Sequence, residues 1–149
     1  MIKIIKSKET EIYNITLGLI KGYKPDDIID RTPFGNIVNK SNPEDEKSNL
    51  QKEDIIKRIS TCLDKTEEET GIYLSIKITE SNILYKKEWG CPDLGEPVMD
   101  ISIIRNPKFN ADDEKFKYAV KTLTQILQDE FEQSTVTMSI SSGNIYYYA

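Results

Sequence analysis

The side chains that carry most enzyme chemistry are scarce in this sequence. Histidine is absent, and cysteine occurs twice, at Cys62 and Cys91. No His-based catalytic triad, HExxH zinc site or imidazole general base can be built, and two cysteines are too few for a four-cysteine metal site. Neither GxGxxG nor GxxxxGK[ST] occurs, so no phosphate-binding glycine loop is present. The sequence therefore predicts no catalytic residues, no metal and no cofactor.

Acidic residues form four clusters, but their spacing does not suit a metal. A hard-cation site needs carboxylates at defined offsets, as in the DxDxDG loop, and none of the clusters has that pattern. We interpret them as solvated or helix-capping groups; they lie at 26–30, 44–46, 67–69 and 112–114.

Arginine is rare, with three residues against seventeen lysines, so each one is a candidate for a specific contact. Arg105 ends a predicted strand beside Asn106, and Arg31 lies in a long loop. Each has the planar guanidinium that grips an anion through two hydrogen bonds. The alternative for Arg105 is an ion pair with a nearby acid. Arg58 falls on the polar side of a predicted helix.

Aromatic residues supply two further candidates. The only tryptophan, Trp89, lies in a Trp-Gly-Cys-Pro loop, where it either anchors a partner or covers the edge of the core. The chain ends with Tyr146, Tyr147 and Tyr148 before Ala149. Tyrosine is enriched at interfaces, so this tail is predicted to form either an interface or an edge strand.

Strands with alternating apolar and polar residues must position these groups. We predict strands at 11–20, 72–79, 98–105 and 134–140, and amphipathic helices at 49–70 and 111–132. Residues 80–82 read as a turn or bulge. Residues 83–87 and 145–148 are expected to lengthen hairpins or add edge strands.

The order β-α-β-β-α-β predicts a ferredoxin-like α+β sandwich. Right-handed crossovers would place both helices on one face of a four-stranded antiparallel sheet. A gapless similarity between residues 78–85 and 140–147 supports two β-α-β halves. The whole chain, 1–149, is predicted to be a single domain, with residues 21–50 forming a long, partly flexible loop rich in proline and charge.

The open face of this sheet is the largest candidate site. Its predicted outward side chains are mostly small and hydroxylated, and Tyr73 is the one aromatic residue among them. We predict either a solvated face or a platform for a ligand or a second subunit. The outward residues are Asn14, Thr16, Gly18, Tyr73, Ser75, Lys77, Thr79, Asp100, Ser102, Thr135, Thr137 and Ser139.

Charge and hydropathy exclude two classes of partner. The 149 residues carry a net charge of −5, whereas a nucleic-acid backbone binder needs a basic surface. No run of 18 apolar residues and no signal-peptide pattern occurs. We expect a cytoplasmic protein that engages neither nucleic acid nor membrane. The 22 isoleucines and 17 lysines suggest an AT-rich genome, such as that of a low-GC bacterium or its phage.

These observations favour a non-catalytic binding protein. We expect a homodimeric inhibitor or regulator that engages a protein partner or sequesters a small anionic ligand, as an immunity protein or a phage-type inhibitor does. The expected contacts are Arg105, Asn106, Arg31, Tyr73, Lys77, Trp89, Tyr146, Tyr147 and Tyr148. One alternative is a small histidine-independent enzyme that uses Asp100, Tyr73, Lys77 and Arg105. A further alternative is a structural or assembly protein.

Overall fold

A computed structural model describes residues 4–20, 52–105 and 112–148 of the chain. The predicted loop at 21–50, with Arg31, and the candidate Asn106 lie outside these residues. The elements, in chain order, are β1 (Ile4–Gly18), α1 (Lys52–Thr70), β2 (Ser75–Ile83), a 3-10 turn (Lys87–Trp89), β3 (Glu96–Ile104), α2 (Asp113–Glu130) and β4 (Thr137–Tyr148).

The sheet confirms the predicted α+β architecture. Its strand order is β2-β3-β1-β4, and every neighbouring pair is antiparallel. This is the order that two right-handed β-α-β crossovers produce, and it is the ferredoxin-like arrangement.

The core lies between the sheet and the two helices. Strand β1 contributes Tyr13, Ile15 and Leu17, and β3 contributes Met99 and Ile101, all of them buried. Each helix presents one apolar stripe to this layer, because apolar residues recur at helical spacing. The buried stripes consist of Ile55, Ile59, Cys62, Leu63 and Thr66 on α1, and of Phe116, Ala119, Val120, Leu123 and Leu127 on α2.

Two strands are longer than their alternation predicts. Strand β1 begins at Ile4 rather than at residue 11, and β4 continues to Tyr148. The two strands pair from Ile4 and Tyr148 to Thr16 and Thr137, whereas β3 pairs with β1 only over Asn14–Gly18. The part of this strand pair outside Asn14–Gly18 therefore has no β3 beside it. Burial there does not require apolar and polar residues to alternate.

A polar cluster ties the end of β3 to the start of α2. The Arg105 guanidinium, only 7% exposed, lies 2.9 Å from the Asp113 carboxylate and 4.4 Å from the Phe116 ring centroid. Its Nη1 donates to Thr10 Oγ1 at 3.2 Å. Lys8 Nζ lies 3.0 Å from the same carboxylate. Its hydrogen bond, helped by the positive charge of Arg105, lowers the pKa of Asp113.

The variant Asp113→Asn tests this cluster. Because the pKa of Asp113 is lower in the folded chain, its carboxylate stabilises the fold at neutral pH, and this contribution disappears as the pH falls through the folded-state pKa. Asp113 is largely exposed, so we expect a loss of no more than about 1 kcal/mol near neutral pH. Urea unfolding should show this difference shrinking as the pH falls below about 4, the ordinary pKa of an aspartate side chain.

Asp112→Asn is the matched control, since Asp112 is exposed and its side chain makes no capping hydrogen bond. An equal effect of both variants, or a loss that persists in acid, would contradict the assigned role of the cluster.

Candidate active site

A shallow groove lies at one end of the sheet, where β1 ends, β3 begins and α1 approaches. Its volume is about 170 Å³. Four side chains form apolar walls and three supply polar groups. The lining residues are Leu19, Ile55, Pro97, Val98, Glu80, Ser81 and Asn82. We call it the sheet-end groove.

The polar part of the groove comes from a segment that the sequence assigns to a turn or bulge. That expectation is wrong, because β2 continues to Ile83. Glu80, Ser81 and Asn82 pair with residues 97–99 of β3, and this pairing overrides the turn preference of Ser and Asn. The only sequence signal for this segment is its similarity to residues 140–147, which also lie in a strand.

One carboxylate on the open sheet face is held by two hydroxyl groups. Ser81 Oγ donates to Asp100 Oδ2 at 2.6 Å, and Thr16 Oγ1 donates to Asp100 Oδ1 at 3.4 Å. Ser81 is among the groove-lining residues, but its hydroxyl lies with Asp100 on the open face, because successive side chains of a strand point to opposite faces. One step along the sheet, Ser102 Oγ donates to Asn14 Oδ1 at 2.7 Å.

The open face has the predicted composition. The predicted outward residues all reach solvent except Gly18, which is buried. Register places Thr137, Thr16, Asp100 and Thr79 in one row across the four strands. The next row places Lys77 beside Ser102, and Tyr73 is half exposed just before β2.

The predicted catalytic alternative is divided between two layers. Asp100 and Lys77 belong to the open face, whereas Arg105 packs on Phe116 of α2. Arg105 already pairs with Asp113, so the geometry corresponds to the ion-pair reading. A ligand role for Arg105, Tyr73 or Lys77 stays a prediction.

None of the aromatic candidates is among the residues that line the groove. Trp89 is 58% exposed, and the Lys86 ammonium lies 5.3 Å from its ring centroid. Tyr146 and Tyr148 are half exposed on β4, with ring centroids 6.3 Å apart. The tyrosine tail is therefore part of an edge strand. Partner contacts by Trp89, Tyr146, Tyr147 and Tyr148 stay predictions.

The two cysteines are free and differ in environment. Cys62 is buried in the core, and burial raises the pKa of its thiol to about 11. Cys91 is partly exposed, and the Tyr85 amide donates to its Sγ at 3.4 Å. Within the described residues, no group of His, Cys, Asp and Glu is arranged to hold a metal.

Alkylation should distinguish the two thiols. The thiolate is the nucleophile, and Cys62 is both shielded and protonated at neutral pH. We expect iodoacetamide to label Cys91 in the folded protein, and both residues in denaturant, as read by peptide mass spectrometry. Cys91→Ser should abolish labelling until the protein unfolds. Labelling of folded Cys62 at the rate of Cys91 would contradict its burial.

Comparison with known proteins identifies a family that matches this chain. The family model described as SAM lyase matches residues 8–149. One similar solved structure is a phage SAM lyase in the apo state, 14% identical, with a TM-score of 0.45 over 95% of this chain and 90% of the other. Another is a phage SAM lyase in complex with S-methyl-5'-thioadenosine, 19% identical, with a TM-score of 0.47 over 92% and 89% of the two chains. No curated protein matches the chain.

The family match corrects the function inferred from composition. The interpretation as a non-catalytic binding protein, inhibitor or regulator is wrong, because the matched family consists of lyases. The alternative of a small histidine-independent enzyme agrees better with it. A small-molecule ligand, the coarser part of the expected partner, is compatible with the matched family. None of the described helices is both long and apolar enough to cross a membrane.

Proposed function

The chain belongs to the SAM lyase family, and on that premise we propose that it cleaves S-adenosylmethionine at the sheet-end groove. The family match over residues 8–149 carries the proposal. The groove supports it with one carboxylate, Glu80, beside the apolar walls formed by Leu19, Ile55 and Val98.

The substrate's sulfonium determines what the protein must do. S-adenosylmethionine carries a positive sulfur bonded to three carbons. A lyase breaks one of these bonds without water. When the bond to the methionine chain breaks, its electron pair stays on sulfur, and neutral S-methyl-5'-thioadenosine leaves. The carbon then forms a new bond in one of two ways: the substrate's own carboxylate oxygen attacks it and closes a lactone ring, or the neighbouring carbon gives up a proton to solvent and its C–H electron pair forms an alkene.

The groove suits the charged centre of this substrate. Glu80 is exposed, so its carboxylate attracts a cation from solvent. The apolar walls penalise a charge that leaves water, and they therefore favour a step in which the positive charge on sulfur disappears. The volume of about 170 Å³ is below the ~300–1,000 Å³ of drug-sized ligand pockets. We therefore assign the sulfonium and its neighbouring carbons, rather than the whole molecule, to the groove.

Removing the charge of Glu80 tests this assignment. Glu80→Gln keeps the shape of the side chain but no longer attracts the cation. We expect kcat/KM for S-adenosylmethionine to fall about tenfold, mainly through KM, which corresponds to ~1.4 kcal/mol. Release of S-methyl-5'-thioadenosine, measured by liquid chromatography and mass spectrometry, gives both constants.

Asp64→Asn is the matched control, because Asp64 is an exposed carboxylate on α1 that does not line the groove. It should leave both constants unchanged. If the unaltered protein releases no thioether above the buffer rate, the proposed activity is wrong. If it does so and Glu80→Gln behaves like Asp64→Asn, the activity stands and the groove assignment fails.

A homodimer, a protein partner and a cytoplasmic location also remain proposals. A second copy of the chain could pack on the open sheet face, where two rows consist mainly of uncharged polar side chains. Native mass spectrometry should then give twice the 17.1 kDa of one chain. A monomer, or another number of subunits, would contradict the homodimer.

A further inference from the structure

The chain leaves α2 through a turn that places Gln133 beside the end of β1. Glu132 adopts a left-handed conformation, with a φ of 49°. The Glu132 N–H donates to Asp129 O at 3.2 Å, and the Gln133 N–H donates to Gln128 O at 3.0 Å. This pair of bonds is the Schellman motif, in which glycine is the common residue at the left-handed position.

The Gln133 carboxamide connects two backbone carbonyls. Its Nε2 donates to Ile20 O at 2.6 Å and to Phe131 O at 2.9 Å. Both hydrogens of the amide are therefore engaged. One bond reaches the residue that follows the groove-lining Leu19, and the other reaches the C-cap of α2. The side chain thus joins the end of a strand to the end of a helix.

Gly18 shows how closely the carboxamide approaches β1. A Cβ atom at this position would meet the Gln133 side chain, 2.9 Å from its Cδ, which is closer than side-chain carbons pack. The φ of Gly18 lies outside the left-handed region, so its backbone conformation would accept alanine. The place of the missing methyl group is occupied by the carboxamide of Gln133.

These contacts lie where β1 loses its strand partners. Its pairing with both neighbours ends by Gly18. Beyond that residue, the Leu19 N–H donates to Pro97 O of β3 at 3.2 Å, and Gln133 holds the Ile20 carbonyl. Leu19 is therefore fixed by β3 on one side and by the Gln133 contact next to it in the chain.

We propose that Gln133 is a positioning residue, which holds Leu19 in place as an apolar wall of the sheet-end groove. This inference rests on the proposed function and adds to it a residue that does not line the groove. An apolar wall penalises the charge of the sulfonium, and it contacts the neutral thioether product through dispersion. Without the bond to Ile20, Leu19 loses one of its two constraints, and the wall retreats and admits water.

Gln133→Met tests the proposal, because methionine has a similar length but no N–H to donate. We expect kcat to fall about fivefold, the effect of losing one neutral hydrogen bond, since water in the groove stabilises the charged substrate. KM for S-adenosylmethionine should change less than about twofold, because the lost apolar contact is offset by a lower cost of burying the charge. The inhibition constant of S-methyl-5'-thioadenosine, which is neutral, has no such offset and should rise about fivefold.

The inhibition constant separates this role from a merely structural one. Partial unfolding would lower kcat but leave the inhibition constant unchanged, because only folded molecules bind the inhibitor. Gln128→Met is the matched control, since the Gln128 Nε2 donates to Ser134 O at 3.1 Å rather than to β1. It should leave kcat, KM and the inhibition constant unchanged.

Gly18→Ala approaches the same contact from the other side. Its methyl group collides with the carboxamide, so it should reproduce both the loss in kcat and the weaker inhibition. When Gly18→Ala is combined with Gln133→Ala, the collision is absent. The double variant should then match Gln133→Ala alone, because the two residues act through one contact.

Three results would overturn the inference while leaving the cleavage activity in place: an unchanged inhibition constant in Gln133→Met, an equal effect of Gln128→Met, or additive losses in the double variant. If the unaltered protein neither cleaves S-adenosylmethionine nor binds S-methyl-5'-thioadenosine, the proposed function fails, and this inference fails with it.

Discussion

Strand β1 lies between two partners, β3 and β4, and its alternating residues set the two surfaces of the sheet. Tyr13, Ile15 and Leu17 are buried against the helices, while Asn14 and Thr16 hold polar partners on the opposite face. A side-chain period of two makes this division strict, because a slip by one residue would exchange the two faces. The core and the polar network are thus fixed by the same register.

That division also explains where a reactive site can form. The helix side is filled with apolar side chains, and the one buried cation among the described residues, Arg105, is paired with Asp113 and packed on Phe116. Charge that is free to meet a ligand belongs on the open face or at an end of the sheet. The sheet-end groove lies where both layers meet, so it combines apolar walls from Leu19 and Ile55 with the polar Glu80 and Asn82.

The fold is predictable from the sequence because the strongest signals for it are local. Apolar periodicity identified both helices to within a few residues, and the order of elements determined the topology. The extension of β1 to Ile4 was missed because a strand pair outside the core needs no alternation. The groove was missed because Glu80, Ser81 and Asn82 favour turns, and only pairing with β3 keeps them in a strand. The Ser81–Asp100 contact joins residues 19 positions apart, and no spacing rule predicts it.

The absence of histidine does not exclude catalysis when the leaving group is neutral. General acids are needed where a leaving group departs with a negative charge, and imidazole is the usual provider near neutral pH. A sulfonium departs as a neutral thioether and needs no proton. An enzyme acting on it can rely on orientation, on an apolar surface that disfavours the starting charge, and on a few oriented oxygen atoms. A small acidic domain with no histidine can supply all three of these means, so its composition does not exclude catalysis on a substrate that carries its own leaving group.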